Sequence, residues 1–295
     1  MSRPLGILDI GSNSVRFAVL DRGDDGAFFV PSGRKLTCTT RLGKGLDSTG
    51  RLAPEAMAAT VAACGRFCAM AADEHAPVYA YATSAVRDAE NRQELLSALR
   101  AACPELSFFL LSGEEEGRLA FRGAMGSQEG TLLDIGGGSA QVVTSTWAVS
   151  FPTGCVRARD LCPEDALPRM RDGIYTWLNG RVVLPGAAEG PFRGVGGTIT
   201  TLGALLLGQQ AYDGSRLSDL RLTPELLDTL LLRLSALGDE GRARMPLLAR
   251  RHDVILQGGL ILAWFMERLS IKVLTPTDRD GMEGFSMWLK EKGIV

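Results

Sequence analysis

The sequence predicts an α/β protein whose two domains flank a cleft. Segments with the pattern of buried strands alternate with helical segments along the chain, as in α/β folds. A chain of 295 residues is also long enough for two domains that each bury a core. The pattern Asp-Ile-Gly-x-x-Ser occurs twice, at Asp9 and at Asp134, and such an internal repeat indicates a duplicated domain.

Composition restricts the class of protein and of partner. Apolar residues make up 45% of the chain and charged residues 22%, which is typical of a soluble globular protein. The formal net charge is −2, so no overall positive field attracts nucleic acid, and any anion site must be local. The longest apolar run, about Val254 to Met266, is too short to span a bilayer. The first residues lead straight into a strand without a signal peptide, so we expect a cytoplasmic protein with no membrane partner.

The first copy of the repeat predicts a strand, a tight turn and a second strand. The apolar run Leu5–Leu8 ends at Asp9, and a second strand follows over Val15–Leu20. A glycine turn lets successive backbone N–H groups point into one concavity, and such a concavity binds anions. The candidate phosphate-binding residues of this turn are Ser12, Asn13 and Ser14.

The next segments predict further strands and a covering helix. Strands are predicted at Ala27–Val30, Lys35–Thr40 and Val78–Thr83. A helix begins at Pro54, which suits a first helical turn, and ends near Asp73. Residues 41–47 are rich in glycine and cations, so this segment either lines a cleft or is a solvated loop.

Arg87 is a candidate for contacting substrate charge. It follows a predicted strand at its carboxyl end, where α/β sheets place their ligand contacts, and a helix over Gln93–Ala101 comes next. The alternative is a surface arginine that pairs with Asp88.

Glu116 is a candidate catalytic carboxylate. A strand over Leu106–Leu111 precedes it, and Ser112 with Glu115 matches a capping box at the start of a helix. Glu114 has a structural explanation too, because acids in a first helical turn favour the helix dipole. Glu116 lies one step past the box, and a carboxylate that is free to orient a water is what a hydrolase needs. An acidic helix N-terminus without a catalytic role is the alternative.

The second copy of the repeat predicts another phosphate-binding turn. An apolar run stops at Asp134, and alternation resumes after the glycines, so the segment predicts strand, turn and strand. The turn residues are Gly136, Gly137, Gly138 and Ser139. The carboxylate at the strand end is placed to reach a metal ion that bridges phosphate oxygens. An ordinary hairpin explains this copy taken alone, but two facing turns can hold one polyanion between two lobes.

A third glycine segment follows the short predicted strand Phe192–Val195. Gly196, Gly197 and Thr198 open a helix, and glycines at a helix N-terminus can contact phosphate. The segment lacks the Gly-Lys-Ser/Thr of a P-loop.

The last third of the chain predicts mainly helices. They cover 215–240 and Asp253–Leu269, with a strand over Lys272–Thr275 and a terminal helix. Arg242, Arg244, Arg250 and Arg251 form a basic cluster, which predicts a solvated helix face or, alternatively, an extension of the anion track.

The remaining chemistry-bearing residues do not indicate another site. We interpret the six cysteines as small buried thiols of a cytosolic protein, and neither His75 nor His252 has ligand spacing to them. With two histidines and no Gly-x-Ser-x-Gly elbow, a serine or cysteine hydrolase triad is not expected.

These motifs resemble those of the exopolyphosphatase / guanosine pentaphosphate phosphohydrolase (Ppx/GppA) family, in its short form. The matching segments run in order along nearly the whole chain: Asp9–Ser14, Ala82–Asp88, Leu111–Phe121, Leu133–Val143, Gly154–Arg157, Gly194–Leu202, Arg251–Gly259 and Thr277–Gly284. The resemblance implies two ribonuclease-H-like domains of the actin/hexokinase/Hsp70 type flanking a cleft. We expect residues 1–125 with 280–295 in the first domain and 126–279 in the second.

The resemblance also implies hydrolysis of a terminal phosphoanhydride bond with Mg²⁺. Glu116 would orient or deprotonate the attacking water, and Arg87 would neutralise developing charge. The glycine turns would hold the phosphates, and Asp134 and Asp9 would face the metal ion.

Two positions depart from the family pattern. Many members have Ser-Thr-Glu after the second glycine turn, where this chain has Ser139-Ala140-Gln141. The C-terminal Leu-Arg-Glu-Gly of the family is Gly281-Met282-Glu283-Gly284 here, which removes an arginine near the junction of the domains.

The expected activity is therefore release of terminal phosphate from inorganic polyphosphate, with preference for short chains. The nearest alternative is hydrolysis of the 5′-phosphate of guanosine pentaphosphate. A small-molecule kinase is a second class, but the chain shows no sugar-binding signal. A non-catalytic regulator that binds polyphosphate or an alarmone is a third class, consistent with the departures at Gln141 and Met282. A homodimer is an expectation of the resemblance alone.

Overall fold

A computed structural model describes residues 4–23, 27–31, 33–163 and 166–295 of the chain. The first three residues, for which the sequence predicts no signal peptide, lie outside these ranges. Within them, no helix has both the length and the apolar character needed to cross a membrane.

The first sheet is formed by six strands of the described chain: β1 (Leu5–Ile10), β2 (Ser14–Arg22), β3 (Phe28–Phe29), β4 (Leu36–Thr39), β5 (Val78–Ala82) and β6 (Ser107–Leu110). Their order is β3-β2-β1-β5-β6, and β4 pairs with β2. β1 and β2 are antiparallel, whereas β5 and β6 run parallel to β1. Every residue of β1 is buried, as expected for a strand covered on both faces.

The second sheet is formed by β7 (Thr131–Ile135), β8 (Ala140–Thr144), β9 (Ala148–Phe151), β10 (Phe192–Val195) and β11 (Leu274–Pro276). Its order is β11-β10-β7-β8-β9, with β7 and β8 antiparallel and β10 and β11 parallel to β7. Both sheets thus share one plan, in which the hairpin of the repeat is followed by two parallel strands beside its first strand. The predicted α/β fold class with a duplicated unit is confirmed, and the domain bounds stay a prediction.

The helices of the described ranges lie around these sheets. They are α1 (Leu46–Thr49), α2 (Pro54–Asp73), α3 (Ser84–Asp88), α4 (Arg92–Ala102), α5 (Gly113–Met125), α6 (Cys155–Leu161), α7 (Leu167–Asn179), α8 (Gly197–Leu206), α9 (Pro224–Ala236), α10 (Gly238–Ala243), α11 (Ile255–Arg268) and α12 (Gly281–Glu291), with a 3₁₀ helix at Gly214–Asp219. The glycine-rich segment at 41–47 is mainly loop, although its last residues already belong to α1.

Helix α5 lies between the two sheets. α2 and α4 cover one face of the first sheet, and α5 and α12 cover the other. On its opposite side α5 packs Ala120 and Ala124 against Leu132 and Val143 of the second sheet. α6 to α9 and α11 cover the far face of the second sheet with a continuous apolar core.

Glycines bring α5 and α12 into backbone contact. A Cβ on Gly123 would overlap the carbonyl of Asp280, and a Cβ on Gly284 would overlap the carbonyl of Leu119. Only glycine allows two helices to approach this closely. The N-terminus of α5, which carries Glu116, is therefore fixed between the two sheets.

Candidate active site

The two glycine turns have the same backbone geometry. Gly11 N donates a hydrogen bond to Ser14 O at 3.1 Å, and Gly136 N donates to Ser139 O at 2.9 Å. Each turn closes a hairpin whose first strand ends beside an aspartate, so each presents its N–H groups next to a carboxylate. The sequence repeat is therefore a repeat of local structure as well.

The turns touch each other at Gly138. A Cβ on this residue would lie 2.5 Å from Ser12 Oγ and closer still to Ser84 Oγ. The two hydroxyls are themselves hydrogen bonded at 2.8 Å. A larger residue at position 138 would therefore force the two turns apart.

A polar cavity of about 100 Å³ lies between the turns. Its lining includes both turns, a third glycine segment, three acids and two arginines. These residues are Asp9, Ser12, Asn13, Ser14, Arg16, Glu116, Asp134, Gly136, Gly137, Gly138, Ser139, Gly196, Gly197, Thr198 and Arg251. The structure thus brings together every sequence-predicted site residue except Arg87, which does not line the cavity.

Glu116 enters the cavity from the first turn of α5. The predicted capping box is present: Glu115 N donates to Ser112 Oγ at 3.1 Å, and Ser112 N donates to Glu115 Oε2 at 2.8 Å. The box occupies Glu115 and leaves Glu116 out, as the sequence predicts. The Oε2 atom of Glu116 is buried and has no hydrogen-bond partner within the described residues. Burial and the nearby charge of Asp134 raise the pKa of Glu116 to about 8.

Arg87 lies behind Glu116 rather than in the cavity. Its Nη1 is 3.7 Å from Glu116 Oε2 and donates a hydrogen bond to Leu111 O at 3.0 Å. Its Nε is 3.4 Å from Asp88, so the predicted surface pair is also present. Arg87 therefore contacts the carboxylate of Glu116 from outside the cavity. Its contact with a phosphate stays a prediction.

The two aspartates of the repeat have different surroundings. Asp9 Oδ2 accepts a hydrogen bond from Arg16 Nε at 2.9 Å and a second one from Arg16 Nη2. The side chain of Asp134 has no hydrogen-bond or ion-pair partner among the described residues. Burial raises the pKa of Asp134 to about 7, against the lowering effect of Arg16. Burial raises the pKa of Asp9 as well, so all three carboxyl groups of the cavity, Asp9, Asp134 and Glu116, hold protons more tightly than exposed acids.

The third glycine segment closes the cavity opposite the hairpin turns. Gly196 has a φ of 88°, in the left-handed region that favours glycine, and a Cβ there would lie 2.5 Å from Asp134 Oδ1. A Cβ on Gly197 would overlap the guanidinium of Arg251. Glycine at these two positions thus lets Asp134 and Arg251 reach the cavity.

Arg251 belongs to the candidate site although the sequence alone does not single it out. It lines the cavity, and its guanidinium has no acid or hydrogen-bond partner among the described residues. Burial lowers its pKa, although an arginine still remains charged. The only sequence signal for Arg251 was its membership of the basic cluster. Its contact with Gly197, which is distant in sequence, distinguishes it from the other arginines of that cluster.

The expectation that the basic cluster forms a solvated helix face is wrong for Arg242 as well. Its side chain is 1% exposed and donates to the carbonyls of His252 and Leu234 at 3.1 and 3.0 Å. A buried guanidinium can satisfy several carbonyls at once, so Arg242 has a structural role. Arg244, at 78% exposure, is solvated as predicted.

Arg16 is the second residue of the candidate site that the sequence alone does not single out. It lies directly opposite Asp9 on β2, lines the cavity, and also pairs with Asp280, the N-cap of α12. The available signal was its position in strand β2, which places it opposite Asp9. Asp280 and Asp9 together fix the guanidinium between the first sheet and the terminal helix.

Gln141 is buried next to the site. Its Nε2 donates to Ser139 Oγ at 2.9 Å and to Ser150 Oγ at 3.2 Å, so it supports the end of the second turn. Its Oε1 is buried without a partner in the described residues. Gln141 does not line the cavity, so the departure at this position removes a carboxylate from behind the turn.

A metal ion would need ligands beyond the protein. Within the described ranges, no group of three or more His, Cys, Asp or Glu side chains can hold one. Mg²⁺ in phosphate chemistry commonly uses one or two carboxylates together with water and substrate phosphates. The unpaired carboxylate of Asp134 fits that role. Asp9 fits it less well, because Arg16 already occupies its Oδ2.

Known proteins share this architecture, and some of them share part of its sequence. The sequence model of the Ppx/GppA phosphatase family matches residues 22–287. Exopolyphosphatase 2 of Mycobacterium tuberculosis is 31% identical over 309 aligned positions, which cover 96% of this chain and 97% of that protein. A solved Ppx/GppA family member from Aquifex aeolicus superposes with a TM-score of 0.75 at 26% identity and covers 98% of each chain. An exopolyphosphatase from Cytophaga hutchinsonii has the same fold, with a TM-score of 0.81, 21% identity and 98% coverage of each chain.

Proposed function

Because this chain belongs to the Ppx/GppA phosphatase family, we propose that it is an exopolyphosphatase, which hydrolyses the terminal phosphoanhydride bond of inorganic polyphosphate. The observation that carries this proposal is the opposition of two anion-binding turns around the buried carboxylate of Glu116. The nearly full-length similarity to a protein named exopolyphosphatase supports the choice of substrate.

The turns bind the end of the chain. Backbone N–H groups of both turns and the hydroxyls of Ser12, Ser139 and Thr198 line the cavity and can donate to phosphate oxygens. Arg16 and Arg251 supply positive charge at the same cavity, and the unpaired Arg251 is the freer of the two. An anion that has left water is stabilised most by such fixed, buried donors.

Glu116 activates the water. Its carboxylate accepts a proton from a water as the water oxygen attacks the terminal phosphorus atom. The bond from that phosphorus to the bridging oxygen breaks, so inorganic phosphate and a chain shorter by one phosphate leave. A raised pKa makes this carboxylate a better proton acceptor than an exposed glutamate.

Arg87 positions this base. Its contact with Glu116 from behind directs the carboxylate toward the cavity. Arg87 would also neutralise negative charge that develops on the terminal phosphate of a bound substrate.

Asp134 would hold Mg²⁺ with the substrate phosphates, and Asp9 would contribute through its remaining oxygen. The bound cation would neutralise phosphate charge and lower the pKa of nearby acids. Divalent-cation dependence agrees with the general requirement of the family.

Guanosine pentaphosphate is the second candidate substrate. Its 5′ end presents a terminal anhydride to the same turns, and only that end would contact the cavity. We also propose the domain bounds given above and a cytoplasmic location, and a homodimer remains a prediction.

The test is a phosphate-release assay over polyphosphates of several lengths, guanosine pentaphosphate and nucleoside triphosphates, with and without Mg²⁺. We expect release from polyphosphate that requires the cation and is lost in Glu116→Gln. Release only from guanosine pentaphosphate would reassign the substrate. Binding of polyphosphate without release would support a regulator and contradict the enzyme.

A further inference from the structure

A second and larger cavity of the described residues lies outside the catalytic cavity. Its volume is about 920 Å³, in the range of pockets that hold small organic ligands. It lies between the segment that precedes α2, the start of α2 itself, and residues 249–250. We call this cavity the side chamber. It shares no lining residue with the catalytic cavity.

The side chamber is adjacent to the catalytic cavity. On β4, Thr37 lines the catalytic cavity and Thr39 lines the chamber. Of two consecutive arginines, Arg251 lines the catalytic cavity and Arg250 lines the chamber. The chamber wall also holds the first glycine turn, because Thr40 N and Arg41 N both donate to the carbonyl of Asn13, at 3.1 and 2.9 Å. A ligand in the chamber would therefore touch the segment that supports a phosphate-binding turn.

The floor of the chamber is apolar. Leu52, Ala53, Pro54, Ala56 and Ala59 form it, from the approach to α2 and the first turns of that helix. Hydrated inorganic polyphosphate gains nothing from such a surface. An organic body with apolar faces gains from it, because burial of those faces removes them from water.

The rim of the chamber is basic. Arg41, Lys44, Arg51 and Arg250 line it, against the two carboxylates Glu55 and Glu94. Arg41 is paired with Asp253, and Arg51 with Glu94, both at 2.9 Å. The ammonium of Lys44 has no partner among the described residues. The chamber thus keeps positive charge that no protein acid neutralises.

The hydroxyl group of Thr40 in the chamber wall is buried without a partner in the described residues. Thr40 is 7% exposed, it lines the chamber, and its Oγ1 makes no hydrogen bond in the described structure. A buried hydroxyl without a partner costs free energy unless a ligand or water satisfies it.

We propose that the side chamber binds a nucleoside phosphate. The phosphate would lie at Lys44 and Arg250, and the base would lie on the aliphatic floor formed by Leu52, Pro54 and Ala59. Glu55 and Glu94 provide acceptors for the N–H groups at the edge of a base. This combination of apolar surface, free cation and carboxylate acceptors matches a nucleotide better than it matches a simple inorganic anion.

The experiment measures binding of AMP and GMP by isothermal titration calorimetry, with inorganic phosphate as a separate arm. These monophosphates contain no anhydride bond, so the proposed hydrolytic activity does not consume them. Ala59→Trp fills the chamber from an exposed helical position, and Ala58→Trp is the matched control, because Ala58 is exposed on the same helix and does not line the chamber. Lys44→Ala removes the free cation, with Lys272→Ala as its surface control.

We expect saturable binding of at least one monophosphate, tighter than that of inorganic phosphate. Ala59→Trp and Lys44→Ala should weaken it by about tenfold or more, a change of about 1.4 kcal/mol, whereas the two controls leave it unchanged. Thermal unfolding of Ala59→Trp and Ala58→Trp shows whether both variants are folded.

Three results would overturn the proposal. The first is the absence of binding by the unmodified protein at millimolar nucleotide. The second is equal affinity of Ala59→Trp and Ala58→Trp. The third is loss of nucleotide binding in Arg251→Ala but not in Ala59→Trp, which would place the ligand in the catalytic cavity. Failure to release phosphate from polyphosphate would contradict the proposed function and leave this binding result intact.

Discussion

Arg16 and Gln141 occupy the same cross-strand position in the two hairpins, each directly opposite the aspartate at the end of the first strand. Arg16 binds its aspartate, Asp9, whereas Gln141 donates to Ser139 and Ser150 instead. The duplication has therefore produced one neutralised carboxylate and one unpaired carboxylate. Of the two, Asp134 is the one available to a cation.

Asp134→Asn should raise the Mg²⁺ concentration needed for half-maximal phosphate release by about tenfold or more, because an amide oxygen is a weaker ligand than a carboxylate. The measurement is a Mg²⁺ titration of the initial rate. Asp88→Asn is a useful control, since Asp88 contacts Arg87 and Arg157 but does not line the cavity. Equal Mg²⁺ dependence of Asp134→Asn and the unmodified enzyme would refute the proposed ligand.

Glu116→Gln should lower kcat for phosphate release by about 10²-fold to 10⁴-fold, because the amide cannot accept a proton from water. Binding of the substrate should change little, since the turns and arginines remain. The matched control is Glu114→Gln, two residues earlier on the same helix, where the carboxylate is exposed and paired with Arg118 at 2.8 Å. Turnover by Glu116→Gln close to that of Glu114→Gln would show that the mechanism is wrong.

The same variant should change the pH dependence of stability. The folded-state pKa of Glu116 is raised from 4.5 to about 8, so its contribution to stability is fully present below pH 4.5 and is lost as the pH rises through 8. Without divalent cations, Glu116→Gln should therefore be more stable than the unmodified protein above pH 8, by about 1 kcal/mol or more. The difference should shrink as the pH falls toward 5.

Denaturant unfolding at pH 5, 7 and 9 measures this effect, with Glu114→Gln again as the control. A constant difference between Glu116→Gln and the unmodified protein at all three pH values would contradict the raised pKa.

Much of the fold could be predicted because its signals are local. The two hairpins, the strand Phe192–Val195, the helix that begins at Pro54 and the capping box at Ser112 all depend on residues close in sequence, and the structure contains each of them. Bounds shifted by one or two residues where helices fray, as at the start of α11.

Much of the lining of the candidate site could be predicted from the repeat and from the spacing of Glu116 beyond its capping box. The rest depends on contacts between distant segments. Nothing local separates Arg251 from the exposed Arg244 or the buried Arg242, since each belongs to one basic cluster. Arg16 is likewise an ordinary strand residue until the pairing with Asp9 and Asp280 is known.

Gly138→Ala should lower kcat/KM by about tenfold or more, because the added methyl would overlap Ser84 Oγ and separate the turns. It should also reduce the free energy of unfolding. Gly65→Ala on α2 is the control, since no atom lies within 4 Å of its added Cβ. There the change should stabilise the protein by about 0.5 to 1 kcal/mol and leave activity unchanged. Normal activity of Gly138→Ala would show that the turns need not touch.

Arg251→Ala should reduce kcat/KM by about tenfold to a hundredfold, because it removes the one arginine of the cavity lining that has no protein partner within the described residues. The effect should shrink with rising ionic strength less than that of removing an exposed charge, since salt screens a buried guanidinium poorly. Arg244→Ala is the matched control from the same basic cluster, and its 78% exposure predicts unchanged kinetics. Initial rates on polyphosphate at several salt concentrations measure both variants. Equal kinetics of Arg251→Ala and Arg244→Ala would mean that the substrate does not reach Arg251, and the path of the terminal phosphate would then have to run along Arg16 alone.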